Sequence, residues 1–488
     1  MRAFTLLLVL ILMGTSFLSG KESDPVRELL RSSLVRLTVH GQNPSYYSPW
    51  KWASPKKRSG QGLVVGENLV LTLSSLIQNS TQIEVRLNAE PTPRMLKVLH
   101  ADLDRGLALL QGDLPPGAEV IELPKKSSFR LGAKARSYWK TDRGRFMEGH
   151  ATLDYVDAVI ADGSYQCLLW YEGSNASVQG GFGEPVFSEG NIIGISVKNG
   201  QGSELSVLPV EEIHRRYDLP SGRMKPDSAM AGFVFNPCTQ KNFRDYNELG
   251  EEDGGCLVTT VLGQGSGSEE LKPGDILLKF DGRKLDAWGR YEHDEFGTLS
   301  FEHLFSEKKL GTSVEVELVR EGERLTLPIR MVSISEDRWL LPEYRDGRPG
   351  RFFVRGGYVF QNLSLPYLMA WGRDWATKAP DDLLMLFNDE KGQLKQPDRE
   401  EVVLLGHVLS HASNRGLQHL GRKVIDTINN EPLRGLTHLK EILDDPEQKR
   451  VLLGLRPGNI PLLLDPNEMR KVDDEVQKSY GIDIMERL

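Results

Sequence analysis

Short apolar runs recur from Leu34 to about Ile195, at Leu34–Val39, Gly62–Val65, Leu69–Leu73, Ile83–Leu87, Leu107–Leu110, Ala151–Val156, Cys167–Trp170 and Ile192–Val197. Polar positions alternate within them, and Gly, Pro or Asn separate them. Evenly spaced short strands between turn residues predict an all-β barrel or sandwich. The period changes at Val210–Tyr217, where a helical stretch closes the block. Pro220-Ser221-Gly222 through Pro226-Asp227-Ser228 then reads as a linker.

A second alternating region starts near Met230 and ends near Ser333. Gly255–Val261 is followed by Leu271–Gly282 with its Pro273-Gly274-Asp275 turn, and Ser313–Glu323 folds back as a hairpin at Glu321-Gly322. A third region repeats that order. Gly356–Phe360 echoes Ala231–Phe235, Val402–Val408 echoes Leu257–Val261, and Lys423–Asn429 echoes the strand before Asp281-Gly282. One strand-strand-helix unit is therefore expected twice. A helix-period segment, Leu436–Leu443, follows the second copy, and the charged stretch from Pro466 reads as a surface helix.

The length of 488 residues suits about three domains. With 39% hydrophobic and 26% charged residues, a multispan membrane protein and wholesale disorder are excluded. A net charge of −8 argues against a nucleic-acid-binding face. Three cysteines without metal-ligand spacing support neither a zinc site nor a disulfide framework. No Walker-type glycine run is present either, so no cofactor or metal is expected. Arg2, the apolar Leu6–Met13 and the small residues Gly14-Thr15-Ser16 or Ser19-Gly20 form a secretory signal over residues 1–20. It is short for a membrane span of ~20 residues, so a periplasmic or extracellular location is expected.

"LKPGDILLKFDGRKL" (Leu271–Leu285) and "VELVREGERLTLPI" (Val316–Ile329) resemble a PDZ domain of the HtrA/Deg serine proteases. The first block resembles the chymotrypsin-like double barrel that precedes such domains. With "SYYSPWKW" before the barrel, the order is most similar to plant-type Deg proteases with two PDZ domains, over roughly Leu34 to Pro466. The resemblance implies a mainly β fold: a double β-barrel over 21–217, a linker over 218–228, and PDZ domains over 229–335 and 336–465. An insertion, Trp371–Arg399, lies in the second PDZ, and 466–488 forms a helical tail.

Acyl transfer on this fold needs a nucleophilic Ser, a His base and an orienting Asp. The family's L-T-N-A-H-V-V segment reads Leu71-Thr72-Leu73-Ser74-Ser75-Leu76-Ile77 here, which puts Ser75 at the His position. Gly106 stands for the Asp before Leu107-Ala108-Leu109-Leu110. Phe182 stands for the nucleophile in Gly180-Gly181-Phe182-Gly183-Glu184-Pro185, and Glu184 replaces a glycine near the oxyanion donors. None of these groups can serve as base, orienter or nucleophile. The expectation is a secreted pseudoprotease that binds peptides. The alternative is a serine endopeptidase of envelope protein quality control with a relocated site, drawing on His40, His100, Asp102, Asp104, Ser174 or Ser177.

PDZ domains bind C-terminal or unfolded peptide segments by adding a strand to a sheet edge, with a backbone nest for the carboxylate. The resemblance assigns that role to Gly232, Phe233, Val234 and Phe235 in the first PDZ, and to Gly357, Tyr358, Val359 and Phe360 in the second. The insertion either covers the second groove or contacts a neighbouring domain. HtrA-like proteins use N-terminal aromatics to assemble trimers, which implies a homo-oligomer through Tyr46, Tyr47, Trp50 and Trp52. The other reading packs those rings on their own barrel. Cys238 and Cys256 are candidates for pairing after export.

Overall fold

The computed structural model describes residues 24–88, 90–161, 163–174, 182–197, 204–250 and 252–488, and of Phe182 the backbone alone. The expected signal over 1–20, Ser177, Gly180 and Gly181 lie outside the described residues. The mainly β architecture expected from the sequence is the one observed.

Helix α1 (Pro25–Ser33) starts where Asp24 accepts the Val26 N–H at 3.1 Å and proline fills the first turn. Six strands close the first barrel: β1 (Leu34–Gly41), β2 (Lys56–Gly66), β3 (Leu69–Leu73), β4 (Ser80–Arg86), β5 (Arg94–Asp102) and β6 (Leu107–Gly112). Their order is β1-β2-β3-β6-β5-β4. The second barrel uses β7 (Lys134–Lys140), β8 (Phe146–Ile160), β9 (Cys167–Ser174), β10 (Phe182–Ser188), β11 (Asn191–Val197) and β12 (Leu205–Pro209). It closes in the order β10-β11-β12-β9-β8-β7.

Strand β3 is buried at every position, because its inner face fills the first barrel and its outer face meets the second. A single apolar core thus runs from Leu37, Val70 and Leu109 into Trp170, Phe187 and Ile195. Each such side chain contributes ~1.5–3 kcal/mol. The turn between β5 and β6 is held by Arg105, fully buried, whose guanidinium meets Asp102 at 3.3 Å and Glu212 at 3.5 Å. Glu212 belongs to α3 (Val210–Arg216), and Arg216 of that helix bonds Asp102 at 3.1 Å. The expected linker over 218–228 is fastened down. Leu219 is buried, Met224 packs on the first barrel, and the Lys225 N–H donates to the Arg216 carbonyl at 2.7 Å.

Two sheets of the same order follow. The first runs Phe233–Pro237, Cys256–Val261, Ile276–Phe280, Ser313–Arg320, Glu323–Arg330. The second runs Tyr358–Asn362, Val403–Val408, Lys423–Ile428, Val451–Arg456, Ile460–Leu464, and two more strands, Phe352–Arg355 and Glu486–Arg487, lie beyond Tyr358–Asn362. The stretch 466–488 is therefore part of the last domain and not an appended tail. Its helix Pro466–Tyr480 buries Met469 and Val476 against the sheet, and Glu486–Arg487 pairs with Phe352–Phe353. Met469, Val472, Val476 and Tyr480 recur at helical spacing, but the charges between them hide that face in the composition.

Candidate functional site

The three degenerate positions surround one cleft between the barrels. Ser75 lies in the single turn α2 (Ser74–Ile77) that leaves β3, and the Ser74 N–H donates to the Gly106 carbonyl at 2.8 Å. Gly106 takes a left-handed backbone, φ +67°, and a Cβ built there would lie 3.6 Å from Val197 Cγ1. Val197 pairs with Phe182 across β10 and β11. Gly183, with φ +89°, sits against Leu73, its Cβ position 3.5 Å from Leu73 Cγ. The backbone segments of the three positions thus converge.

Asp102 and Asp104, two candidates for a relocated site, are held in ion pairs. Asp102 serves Arg105 and Arg216. Asp104 accepts the Tyr165 N–H at 2.7 Å and an Arg345 N–H at 2.8 Å, so it anchors the chain leading into the last domain. His40 faces Glu84 at 3.6 Å, His100 is paired with Leu109 along β5, and Ser174 ends β9. Glu184 is buried at the start of β10.

In the first of these two units, expected to be a PDZ domain, Phe233–Pro237 is the terminal strand of its sheet. The Gly232 carbonyl accepts the Leu262 N–H at 2.8 Å. In an antiparallel ladder this turns the N–H and C=O of the next residue, Phe233, to the unpaired side. Beside that side lies a cavity of about 710 Å³. Ala231, Phe233, Val234 and Phe235 of the edge line it together with Glu302 and Phe305. Ile160, Tyr165 and Cys167 of the second barrel, Trp339 and Leu341 of the connecting segment, and Asn388 and Lys391 of the last domain complete it. Phe233 is buried on Phe301 and Phe305, with ring centroids 6.2 and 6.1 Å apart, while Val234 is 48% exposed.

The expected carboxylate nest at Gly232 is corrected by these contacts. Its N–H already donates to the Ser266 carbonyl at 2.8 Å. Glycine is required there by proximity, since a Cβ would stand 2.7 Å from the backbone of Gly265.

The second set, Gly357, Tyr358, Val359 and Phe360, is corrected more thoroughly. Arg355 pairs with Tyr358, so Gly356 and Gly357 are the two loop residues of a hairpin. Their φ values of +59° and +84° are those of a primed turn, the reason two glycines stand there. Tyr358–Asn362 is buried throughout, with Phe352–Arg355 on one side and Val403–Val408 on the other. The chain itself occupies the place a peptide would take. The insertion, meanwhile, reaches the first unit: the Gly263 N–H donates to the Gly392 carbonyl at 2.9 Å, and Lys391 lines the first unit's cavity.

The N-terminal aromatics pack on the last domain and the segment leading into it rather than on their own barrel. Tyr46 stacks on Tyr344 with centroids 6.3 Å apart, Tyr47 meets His407 at 4.2 Å, Trp50 packs on Phe352, and Trp52 lies under Arg487. All four are used within the chain, on the last domain and the segment leading into it. The three cysteines are free thiols, Cys238 and Cys256 included. Among the described residues no cluster able to hold a metal ion occurs, and no helix is long and apolar enough to cross a membrane.

Sequence reasoning missed Glu302, Tyr165, Trp339 and Lys391 as cavity residues. An acid inside Phe301-Glu302-His303-Leu304-Phe305 was the one local signal, since apolar neighbours on both sides predict a desolvated carboxylate.

Comparison with known proteins adds three findings. The PDZ domain family matches residues 341–486. "Protease Do-like 2, chloroplastic" of Arabidopsis thaliana is 22% identical, with 96% of this chain and 77% of that protein covered. "Probable periplasmic serine endoprotease DegP-like" of Pseudomonas fulva is 24% identical over 57% of this chain and 56% of that protein. Among solved structures, "HtrA-type protease AlgW with decapeptide" aligns with a TM-score of 0.48 and 14% identity, covering 64% of this chain and 98% of that one.

Proposed function

We propose that the chain, which is similar to Deg/HtrA-like proteases over most of its length, is a catalytically inactive relative of them that binds extended peptide segments. The observation that carries the reading is the unpaired Phe233–Pro237 edge beside a cavity of about 710 Å³. A peptide entering there continues the sheet by main-chain hydrogen bonds to Phe233, and alternate side chains enter the cavity. Bound segments are not cut. Ser75 has no basicity near neutral pH, Gly106 has no side chain, and phenylalanine at 182 has no nucleophilic atom. The segment 1–20 supports delivery of the chain across a membrane. The two relatives, one described as chloroplastic and one as periplasmic, accord with such delivery.

The test is incubation of the purified protein with unfolded casein and, separately, with a fluorophosphonate serine probe. No cleavage above background and no labelling are expected, and Phe182→Ser alone should stay unlabelled because it lacks a base. Cleavage that survives repurification and is lost on Asp104→Asn or Ser177→Ala would establish a relocated site instead.

A further inference from the structure

The cavity beside the Phe233 edge is lined by apolar groups such as Phe305, Ile160 and Leu341, and it also holds the carboxyl of Glu302. Glu302 precedes the short turn His303–Ser306. Among the described residues its one hydrogen-bond partner is Ser300 Oγ at 3.5 Å, and no cation stands within ion-pair distance. The cavity's other acid, Glu343, is already engaged by the Tyr165 hydroxyl at 2.9 Å and Lys391 Nζ at 3.7 Å. The thiols of Cys167 and Cys256 are pushed up by their burial and, to a smaller extent, by Glu302, which keeps them neutral. Burial likewise pushes the Glu302 carboxyl up to about 7, with only the Ser300 contact opposing it.

An unmatched acid in an apolar wall is costly in the free protein, and a ligand cation that reaches it removes that cost. A ligand carboxylate would add a second negative charge, and the Gly232 N–H that might have received it is already taken by Ser266. We propose that Glu302 is the specificity residue of this groove, accepting the ammonium or guanidinium of a Lys or Arg side chain within an extended internal peptide segment added to the Phe233 edge. The inference rests on the peptide-binding reading above and sharpens it from any exposed segment to basic, internal ones.

The experiment is fluorescence polarisation on the full chain with four labelled decapeptides of otherwise alternating Leu and Ser. Two carry a central lysine and two a central norleucine, and each pair has one amidated and one free C-terminus. The amidated lysine peptide should bind about tenfold more tightly than its norleucine twin, a ratio usual for a charged hydrogen bond. In Glu302→Gln, which keeps the side-chain size, the two should bind within about twofold. Equal binding of the twins by the unaltered protein, or a lysine preference that survives Glu302→Gln, would overturn the inference. So would binding confined to free C-termini, although peptide binding itself would then stand. Binding of none of the four would take down the peptide-binding reading and this inference with it.

Discussion

In the first unit the strand Phe233–Pro237 ends its sheet, whereas in the second the equivalent strand Tyr358–Asn362 is flanked by Phe352–Arg355, and that strand by Glu486–Arg487. The five shared strands stand in the same order in both. What differs is the chain just before the edge strand. In the first unit it crosses to an isolated parallel bridge between Ala231 and Ser266, and leaves the edge unpaired. In the second, Gly356 and Gly357 turn it straight back as a hairpin. An open sheet edge is both a binding surface and an aggregation hazard. The first unit shields its edge under the second barrel and the last domain, and keeps a cavity there. The second fills its edge with its own residues. One strand order therefore leaves an open edge beside a cavity in one copy and a filled edge that carries the N-terminal aromatics in the other.

The largest effect that sharpens this contrast is expected at Phe352. It is fully buried in the filling strand and packs on Trp50, so Phe352→Ala should cost about 3–5 kcal/mol. Val234→Ala on the open edge should stay within about 0.5 kcal/mol. Urea unfolding of the full chain measures both, and similar costs at the two positions would break the contrast.

A smaller effect separates the two units by pH. Glu302 titrates at about 7 in the folded chain, well above an ordinary glutamate near 4.3. The folded state therefore holds its proton where the unfolded state has lost it. Its contribution to stability is full below about pH 4.3 and is lost as the pH rises to about 7. Glu172 of the second barrel, also pushed up to about 7 by burial, acts with the same sign, so the informative quantity is the difference between the wild type and Glu302→Gln. In thermal melts the two should agree near pH 4.5 and the variant should be the more stable at pH 8. A constant difference across that range would contradict the assignment. In the second unit Asp444, despite its burial, is lowered by Lys440 and Arg355, so it acts with the opposite sign and loses its contribution as the pH falls.

Much of the double barrel was legible because its strands fill an interior and alternate accordingly. Leu69–Leu73 was read to the residue, and α3 to within one residue of its end. Strand β5, Arg94–Asp102, was missed because it lies on the barrel surface and exposes most of its side chains. The segments of Ser75 and Gly106, read from local motifs, lie side by side because the Ser74 N–H bonds the Gly106 carbonyl. The groove was only half readable. Two adjacent glycines before an apolar strand fit a carboxylate nest and a primed hairpin turn equally well, and the pairing partner that decides between them, Phe352–Arg355, carries no signal for its own register. The cavity was illegible because Tyr165, Glu302, Trp339 and Lys391 come together only through domain packing.

The account turns on which edge takes a ligand. Hydrogen–deuterium exchange of the full chain, with and without a saturating lysine-containing decapeptide, reads this at the backbone. Slowed exchange over Phe233–Phe235, with no change over Tyr358–Phe360, is the predicted result. Protection over Tyr358–Phe360, or unchanged exchange at Phe233 while the peptide is bound, would contradict it.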